Sequence, residues 1–581
     1  MGFLGVSSSL TGQVWSGPSL EAERAAEALA QATGLPDAVA HVLAQRRVPP
    51  AEVEGFLAPT LRDMLPDPSR LKDAPAAAAC LVEAVRRKAR IAIFADYDVD
   101  GAASAALLID WLRLQALDAT LYVPDRIDEG YGPNAAAIAG LAASHDLIVC
   151  VDCGTLSHDA LSAAGDTDVL VLDHHLGGET LPPARAVVNP NRQDETGELG
   201  HICAVGVVFL TLVEASRQMR REGSAAPDLM AGLDLVALAT IADVAPLQGV
   251  NRAFVRTGLR VMAQRARPGL RALADVAGLD EAPRPYHLGY LLGPRINAGG
   301  RIGQASLGAQ LLATQDTNAA DRIAADLDRL NQERREIEKR VTEEALSQAE
   351  ARGSNAPLVW AAGEGWHPGV VGIVAARLKE ALHRPAVVIG LQNGVGKGSG
   401  RSVSGIDLGA SIQRLVAEGL LSKGGGHRMA AGLTLKASLL TPAMERLGVL
   451  LERQGAGATG PRTLALDGVL MPQAVTVDLI ERLEEAGPFG AGAPAPRFAL
   501  PDMRVLHARE VGSGHLKLRI GDPSGSQVDA IAFGAFDTAL GAGLLDHGGD
   551  RFHVAGRLDL NVWQGRTIPQ LRLEDASRCG P

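Results

Sequence analysis

The sequence predicts a multidomain α/β protein that closes with a small antiparallel β-barrel. Three observations predict it. Apolar runs of strand length alternate with helical stretches over 76–250, and the alternation returns over 353–462. Between the two, the run from Ala319 to Glu350 holds no Gly or Pro and many opposite charges four residues apart. From 463 onward, short period-two runs are broken by Gly, Asp and Ser.

In chain order, residues 1–75 read as a helical segment. Glu21–Thr33 has helical apolar spacing and stops at Gly34-Leu35-Pro36. In the 76–250 domain, Ile91–Ala95, Ala119–Pro124, Leu147–Val151 and Val169–Leu172 read as strands, continuously apolar and separated by helices. That pattern predicts a parallel sheet covered on both faces. Residues 251–352 read as a helical connector, taken as a solvated helix joining two domains. Residues 353–462 read as a second α/β domain whose last part is helical. Residues 463–581 read as the barrel, with strands at His515–Ile520, Val528–Phe533 and Phe552–Gly556.

A chain of 581 residues is too long for a single core. Its hydrophobic content of 46% and charged content of 21% are ordinary for a globular protein. The formal net charge of −11 argues against a general polyanion binder, so any nucleic-acid contact must use a few placed cations. The five cysteines, Cys80, Cys150, Cys153, Cys203 and Cys579, are irregularly spaced and read as small buried hydrophobes. No apolar run is long enough to span a bilayer, and no secretory signal is visible, so a cytoplasmic location is expected.

Ligands of parallel sheets sit beyond the carboxyl ends of the strands. Here the polar residues fall at those ends: Asp96, Asp98 and Asp100 after the first strand, Asp152 after the third, Asp173-His174-His175 after the fourth. Asp243 ends an apolar helical pattern. Carboxylates packed as tightly as Asp96-Tyr97-Asp98-Val99-Asp100-Gly101 repel one another, so a cation is expected among them. Oxygen donors with a little imidazole suit Mg²⁺ or Mn²⁺ better than zinc. A calcium-sensor loop is rejected because no Glu stands at its twelfth position. In the second α/β domain, the glycines of Lys397-Gly-Ser399-Gly-Arg401-Ser402 expose backbone N–H groups beside further donors, which suits a phosphate. Gly424-Gly-Gly-His427-Arg428 suits the same purpose.

In that order, Asp-Tyr-Asp-Val-Asp-Gly, Val-Asp-Cys-Gly-Thr, Asp-His-His and Ala-Asp-Val-Ala-Pro-Leu resemble the four motifs of the DHH phosphoesterase superfamily. Within it, the chain is most similar to the RecJ family of single-strand-specific 5′→3′ exonucleases. Phe56-Leu-Ala-Pro-Thr-Leu, Arg126-Ile-Asp-Glu-Gly-Tyr-Gly132, Gly293–Arg301, the two Gly-rich stretches and Pro488-Phe-Gly are similar as well.

The resemblance implies a DHH catalytic domain, a DHHA1 domain and a C-terminal OB-fold. It implies two divalent ions, Mn²⁺ or Mg²⁺, on Asp98, Asp100, Asp152, His174 and Asp243. Asp152 would bridge the two, Asp96 would be a further ligand, and His175 would contact the scissile phosphate. Arg126, Arg301, Ser399 and Arg401 would hold a 5′ phosphate. In the barrel, Arg509, Lys517, Arg519, Arg557 and Arg566 interleave with Trp563, Phe533 and Phe552, as in strand-binding barrels. Trp563 is taken as a strand contact and Phe533 as core. Trp366-His367-Pro368-Gly369 reads as a loop anchor or as a strand contact. Two positions depart from the family pattern: Phe94, where some members place a metal-binding His, and Ala493, where related exonucleases often have Asn.

The expected partners are single-stranded DNA, a single-strand-binding protein and a helicase, with the chain a monomer. The alternatives are another DHH phosphoesterase, acting on oligoribonucleotides or cyclic dinucleotides, and a RecJ-like scaffold that binds strands without cutting.

Overall fold

Five apolar runs build the first sheet: β1 Ile91–Ala95, β2 Ala119–Tyr122, β3 Leu147–Val151, β4 Asp168–Leu172 and β5 Ala186–Val188. They pair in the order β2-β1-β3-β4-β5, all parallel. β1 and β3 are buried along their whole length, as strands covered on both faces must be. The computed structural model describes residues 2–126, 129–130, 132–353, 356–457, 460, 462–563 and 565–579, with the Trp563 side chain left out. Among these residues no helix is long and apolar enough to cross a membrane.

Contacts divide the chain into two units. One comprises Pro66–Ala245 and Thr257–Thr459, the other Met1–Leu65, Pro246–Arg256 and Gly460–Pro581.

The first of these holds the parallel sheet, the long helix and a second sheet. Helix α1, Val99–Leu114, follows β1 and is buried through most of its length. Helices α2, Ala204–Arg221, α3, Leu233–Ala242, and α4, Gly293–Ile302, complete the surroundings of the strand ends. Helix α5, Thr317–Arg352, is not the solvated connector read from its charges. Ala320, Ala324, Leu327, Asn331, Arg334, Glu338, Val341, Ala345 and Ala349 form a buried stripe at spacings of three and four. Its far end packs with Val359, Ala361, Val370 and Val374 in one core. Small residues set among charges gave the stripe little hydrophobic signal.

The second sheet consists of β6 Val359–Glu364, β7 Ala386–Gln392, β8 Val395–Arg401, β9 Lys423–Gly426 and β10 Ala430–Lys436, in the order β9-β10-β8-β7-β6. Helix α6, Pro368–Leu382, crosses from β6 to β7, which run parallel.

The other unit is built on a closed barrel of β11 Phe498–Val511, β12 His515–Gly521, β13 Gln527–Ala532, β14 Arg551–Trp563 and β15 Arg566–Arg578. Adjacent strands are antiparallel except β13 and β15, which are parallel, and β11 closes on β14. Phe498, Leu518, Phe552 and Leu571 fill it and pack with Val39 and Leu43 of the N-terminal helices. Phe533 is a correction: it is 53% exposed rather than core. β13 buries Val528, Ala530 and Ala532 in alternation, so the next residue out of phase faces away from the core. Arg572 lies over its ring, 5.0 Å from the centroid.

Candidate functional site

The carboxyl ends of four of the five parallel strands converge on one cluster. Asp96 follows β1, Asp152 follows β3, Asp173-His174-His175 follow β4, and Asn189 follows β5. Asp98 caps α1, its Oδ1 accepting from the amides of Asp100, 2.8 Å, and Gly101, 3.2 Å. Asp100 is fully buried and faces the start of α2, accepting from Ala204 N at 2.6 Å and Val205 N at 2.9 Å. Asp243 ends α3.

Donor atoms of Asp96, Asp98 and Asp152 lie within 4.8 Å of one another, as do those of Asp100, His174 and Asp243, and those of Asp152, His174 and His175. His174 Nε2 stands 3.3 Å from Asp152 Oδ1 and 3.8 Å from both Asp100 and Asp243. Asp152 therefore lies between two neighbouring donor sets. It adopts a left-handed φ of 60°, and Val244, directly after Asp243, a φ of 59°. For a β-branched residue that conformation is strained, a condition common at functional sites.

The electrostatics fit cations. Burial first, and the charges of neighbouring aspartates second, hold the carboxyls of Asp96 and Asp152 well above their usual range. The same causes push Asp243 up to about 8. Asp100 is raised by burial, against the pull of His174. Asp96 Oδ1 is buried with no hydrogen-bond partner among the described residues. Such a cluster binds protons unless divalent ions displace them, and an oxygen-rich set with one or two imidazoles suits Mn²⁺ or Mg²⁺.

Asp173 plays a different part from its neighbours. Its Oδ1 accepts from His174 N at 2.7 Å, His175 N at 3.2 Å and His175 Nδ1 at 2.8 Å. Its Oδ2 accepts from Thr155 N at 3.1 Å and Thr155 Oγ1 at 2.7 Å. Burial opposes ionisation, but these donors outweigh it and keep the carboxyl below its usual range. Burial likewise opposes a charged His175, and Asp173 overrides it, raising the imidazole to about 9. Asn189 Nδ2 donates to His175 O at 2.8 Å and Asn191 Nδ2 to His174 O at 2.6 Å. The sequence places Asp173 at the strand end without giving it a role, and Asn189 and Asn191 were missing from the sequence-derived site. Asn189 could have been found from its place after a short apolar run.

A second cluster is cationic. Arg126 lies over the Tyr97 ring at 5.0 Å. Arg301, at the end of α4, donates to Gly369 O at 3.1 Å. Arg401 donates to Ser399 Oγ at 2.9 Å, both on β8. Burial lowers the Arg301 guanidinium to about 10, and Arg126 adds to the effect. Burial and then Arg126 act in the same direction on Arg401 and on His367. These like charges repel one another without an anion among them. A Cβ at Gly372 would lie 3.2 Å from both Arg401 Nη2 and Ser399 Oγ, so glycine keeps the backbone of α6 beside them.

Two sequence-derived residues stand apart. His427 is exposed on the turn between β9 and β10, where Ala430 pairs with Arg401. The Trp563 side chain lies outside the described residues. Trp366 is a loop anchor: it is 8% exposed, and its Nε1 donates to Glu344 at 2.9 Å. In the barrel, Arg519 pairs with Asp529 and Arg557 with Glu574. Cys80, Cys150, Cys153 and Cys203 are buried and unbridged.

Family models match three segments: the DHH family N-terminal domain over 90–240, the DHHA1 domain over 355–452 and the RecJ OB domain over 466–575. The single-stranded-DNA-specific exonuclease RecJ of Dickeya dadantii is 39% identical, over 85% of this chain and 88% of that protein. The Escherichia coli protein of the same name is 36% identical, over 89% and 92%. The crystal structure of Thermus thermophilus RecJ in complex with Mn²⁺ superposes with a TM-score of 0.81 at 30% identity, covering 97% of this chain and 79% of that one.

Proposed function

The chain belongs to the RecJ family and is a DHH nuclease, and from that premise we propose that it degrades single-stranded DNA from the 5′ end to mononucleotides, in DNA repair and recombination. The observation that carries the direction is the cationic cluster of Arg126, Arg301 and Arg401 beside the aspartate–histidine cluster. Repulsion among these arginines is relieved by an anion, and a terminal phosphate with two charges relieves it more than an internal diester with one. An end held there places a nearby bond at the acidic cluster, so cleavage is counted from the anchored terminus, which the RecJ resemblance makes the 5′ one.

Asp96, Asp98, Asp100, Asp152, His174 and Asp243 would hold two divalent ions, Mn²⁺ or Mg²⁺, with Asp152 shared. The ions would supply an activated water and offset charge on the phosphate oxygens. The side chains do the rest. Asp100 and Asp98 are fixed by helix amides, and Asp173 holds both histidines in place. His175, oriented by Asp173, stands ready to donate to a phosphate oxygen. Ser399 orients Arg401. The barrel would bind the rest of the strand, with the exposed Phe533 ring stacking a base beside Arg572 and Trp563 adding a further contact.

The test of direction is Arg401→Ala. It should lower kcat/KM on 5′-phosphorylated strands about 100-fold, since a buried charge-assisted contact is worth roughly 3 kcal/mol, and affect 5′-hydroxyl strands far less. An equal loss on both ends would remove the anchor. Phe533→Ala should weaken binding of long single strands by about 1–3 kcal/mol in an anisotropy titration, with little change on short oligonucleotides.

A further inference from the structure

Between the acidic and cationic clusters stands one side chain that neither assignment uses. Tyr97 lies in sequence between Asp96 and Asp98, so its backbone is part of the acidic cluster. Its half-buried ring carries the Arg126 guanidinium at 5.0 Å. It also lies against α4. A Cβ on Gly300 would lie 2.8 Å from Tyr97 O, 3.0 Å from Tyr97 Cβ and 3.3 Å from Cδ2. The ring is therefore seated against the residue that precedes Arg301. Asn297, one turn earlier on α4, accepts from Val99 N at 3.1 Å and fixes the helix to the same segment.

We propose that Tyr97 is a positioning residue that sets the distance between the anchored 5′ phosphate and the bond cleaved, by holding Arg126 on its ring face and bracing the Gly300–Arg301 end of α4. The inference rests on the anchor reading above. The guanidinium keeps its charge when stacked on an aromatic face and loses no donor directed elsewhere, because cation–π attraction acts through the face of the ion. A rigid ring with two side-chain torsions holds it with little entropic cost. A spacer rooted between two acidic ligands transmits any displacement of the acidic cluster to the anchor, so the two move as one body.

The experiment compares Tyr97→Phe and Tyr97→Leu in the full chain with Mn²⁺, on strands bearing a 5′ phosphate or a 5′ hydroxyl, with Arg401→Ala alongside. Leu keeps bulk and loses the ring face. It should lower the ratio of kcat/KM for phosphate over hydroxyl ends about tenfold, carried by KM, which is the scale of a desolvated cation–π contact. Phe should restore the wild-type ratio. A Tyr97→Leu ratio equal to wild type while Arg401→Ala collapses it overturns the positioning role alone. A ratio unmoved in Arg401→Ala overturns the anchor itself. Loss of the ratio in both Tyr97→Phe and Tyr97→Leu assigns the effect to the hydroxyl and overturns the ring-face argument. Equal loss on both ends in Tyr97→Leu marks a merely structural residue. A thermal melt of each variant separates these outcomes from unfolding.

Discussion

Asp152→Asn should lose nuclease activity by about 10³-fold or more and yet melt at a higher temperature than the parent in metal-free buffer. The first effect follows from its position between the donor sets of Asp96 and Asp98 and of His174 and its neighbours. A neutral amide in that place weakens both cation sites at once, and two-metal chemistry has no partial form. The second effect follows from burial. Asp152 is 2% exposed, and burial together with Asp100, Asp98, Asp96 and Asp243 raises its carboxyl well above the usual range. An acid with a raised folded pKa binds its proton more tightly in the folded state. Without metals, the contribution of these aspartates to stability is therefore fully present below about pH 4, the unfolded value, and is lost as pH rises. Asp243 extends the fall to about pH 8. Asparagine removes the cost of burying or protonating one acid of the cluster, so the metal-free melt rises at neutral pH while the Mn²⁺-induced increase shrinks. A calorimetric scan with and without Mn²⁺ reads both. An unchanged Mn²⁺ increment, or a lower metal-free melt, contradicts the assignment.

Asp173→Asn should have the opposite sign in stability. The carboxylate accepts five hydrogen bonds from Thr155, His174 and His175. An amide offers one acceptor oxygen, so at least two donors meet an NH₂ group instead. The loss is about 2–4 kcal/mol, because buried donors are left without partners. Activity should drop about 10–100-fold, the usual cost of removing a group that orients metal-binding histidines. The Mn²⁺ dependence should shift to higher concentration, since His174 loses its backbone restraint. A melt above the parent's would show that Asp173 belongs with the repelling aspartates after all. The two substitutions are one atom group apart in chemistry, yet their melts should move in opposite directions.

The contrast marks how far the sequence could be read. A strand end carries its polar residue to the ligand edge of a parallel sheet regardless of what that residue does there. Asp96, Asp152 and Asp173 were therefore all placed correctly by one rule. Their roles depend on how many donors surround each carboxylate, and donors such as the backbone amides of Ala204 and Val205 carry no chemical signature in sequence. The same limit explains Phe533: alternation predicts two faces, but only the observed phase of β13 says which face is core. For α5, charge patterning dominated a stripe of alanines. The barrel was legible from alternation, while its parallel β13–β15 pair was not, because pairing direction depends on connections rather than composition.

Trp15 and Asp575 illustrate that last point. The Trp15 indole donates to Asp575 Oδ2 at 2.8 Å, both residues buried, and Gln13–Ser16 pairs with Arg462–Ala465. Residues 13–16 are thus made before Pro66–Ala245 and Thr257–Thr459, yet wait for partners made after them. Synthesis yields the cutting machinery before the barrel, with the N-terminal apolar residues uncovered throughout. A chain broken off before the barrel would leave Val6 and Trp15 without Leu464, Leu466, Ala499 and Ala555, the kind of exposed apolar surface that favours aggregation.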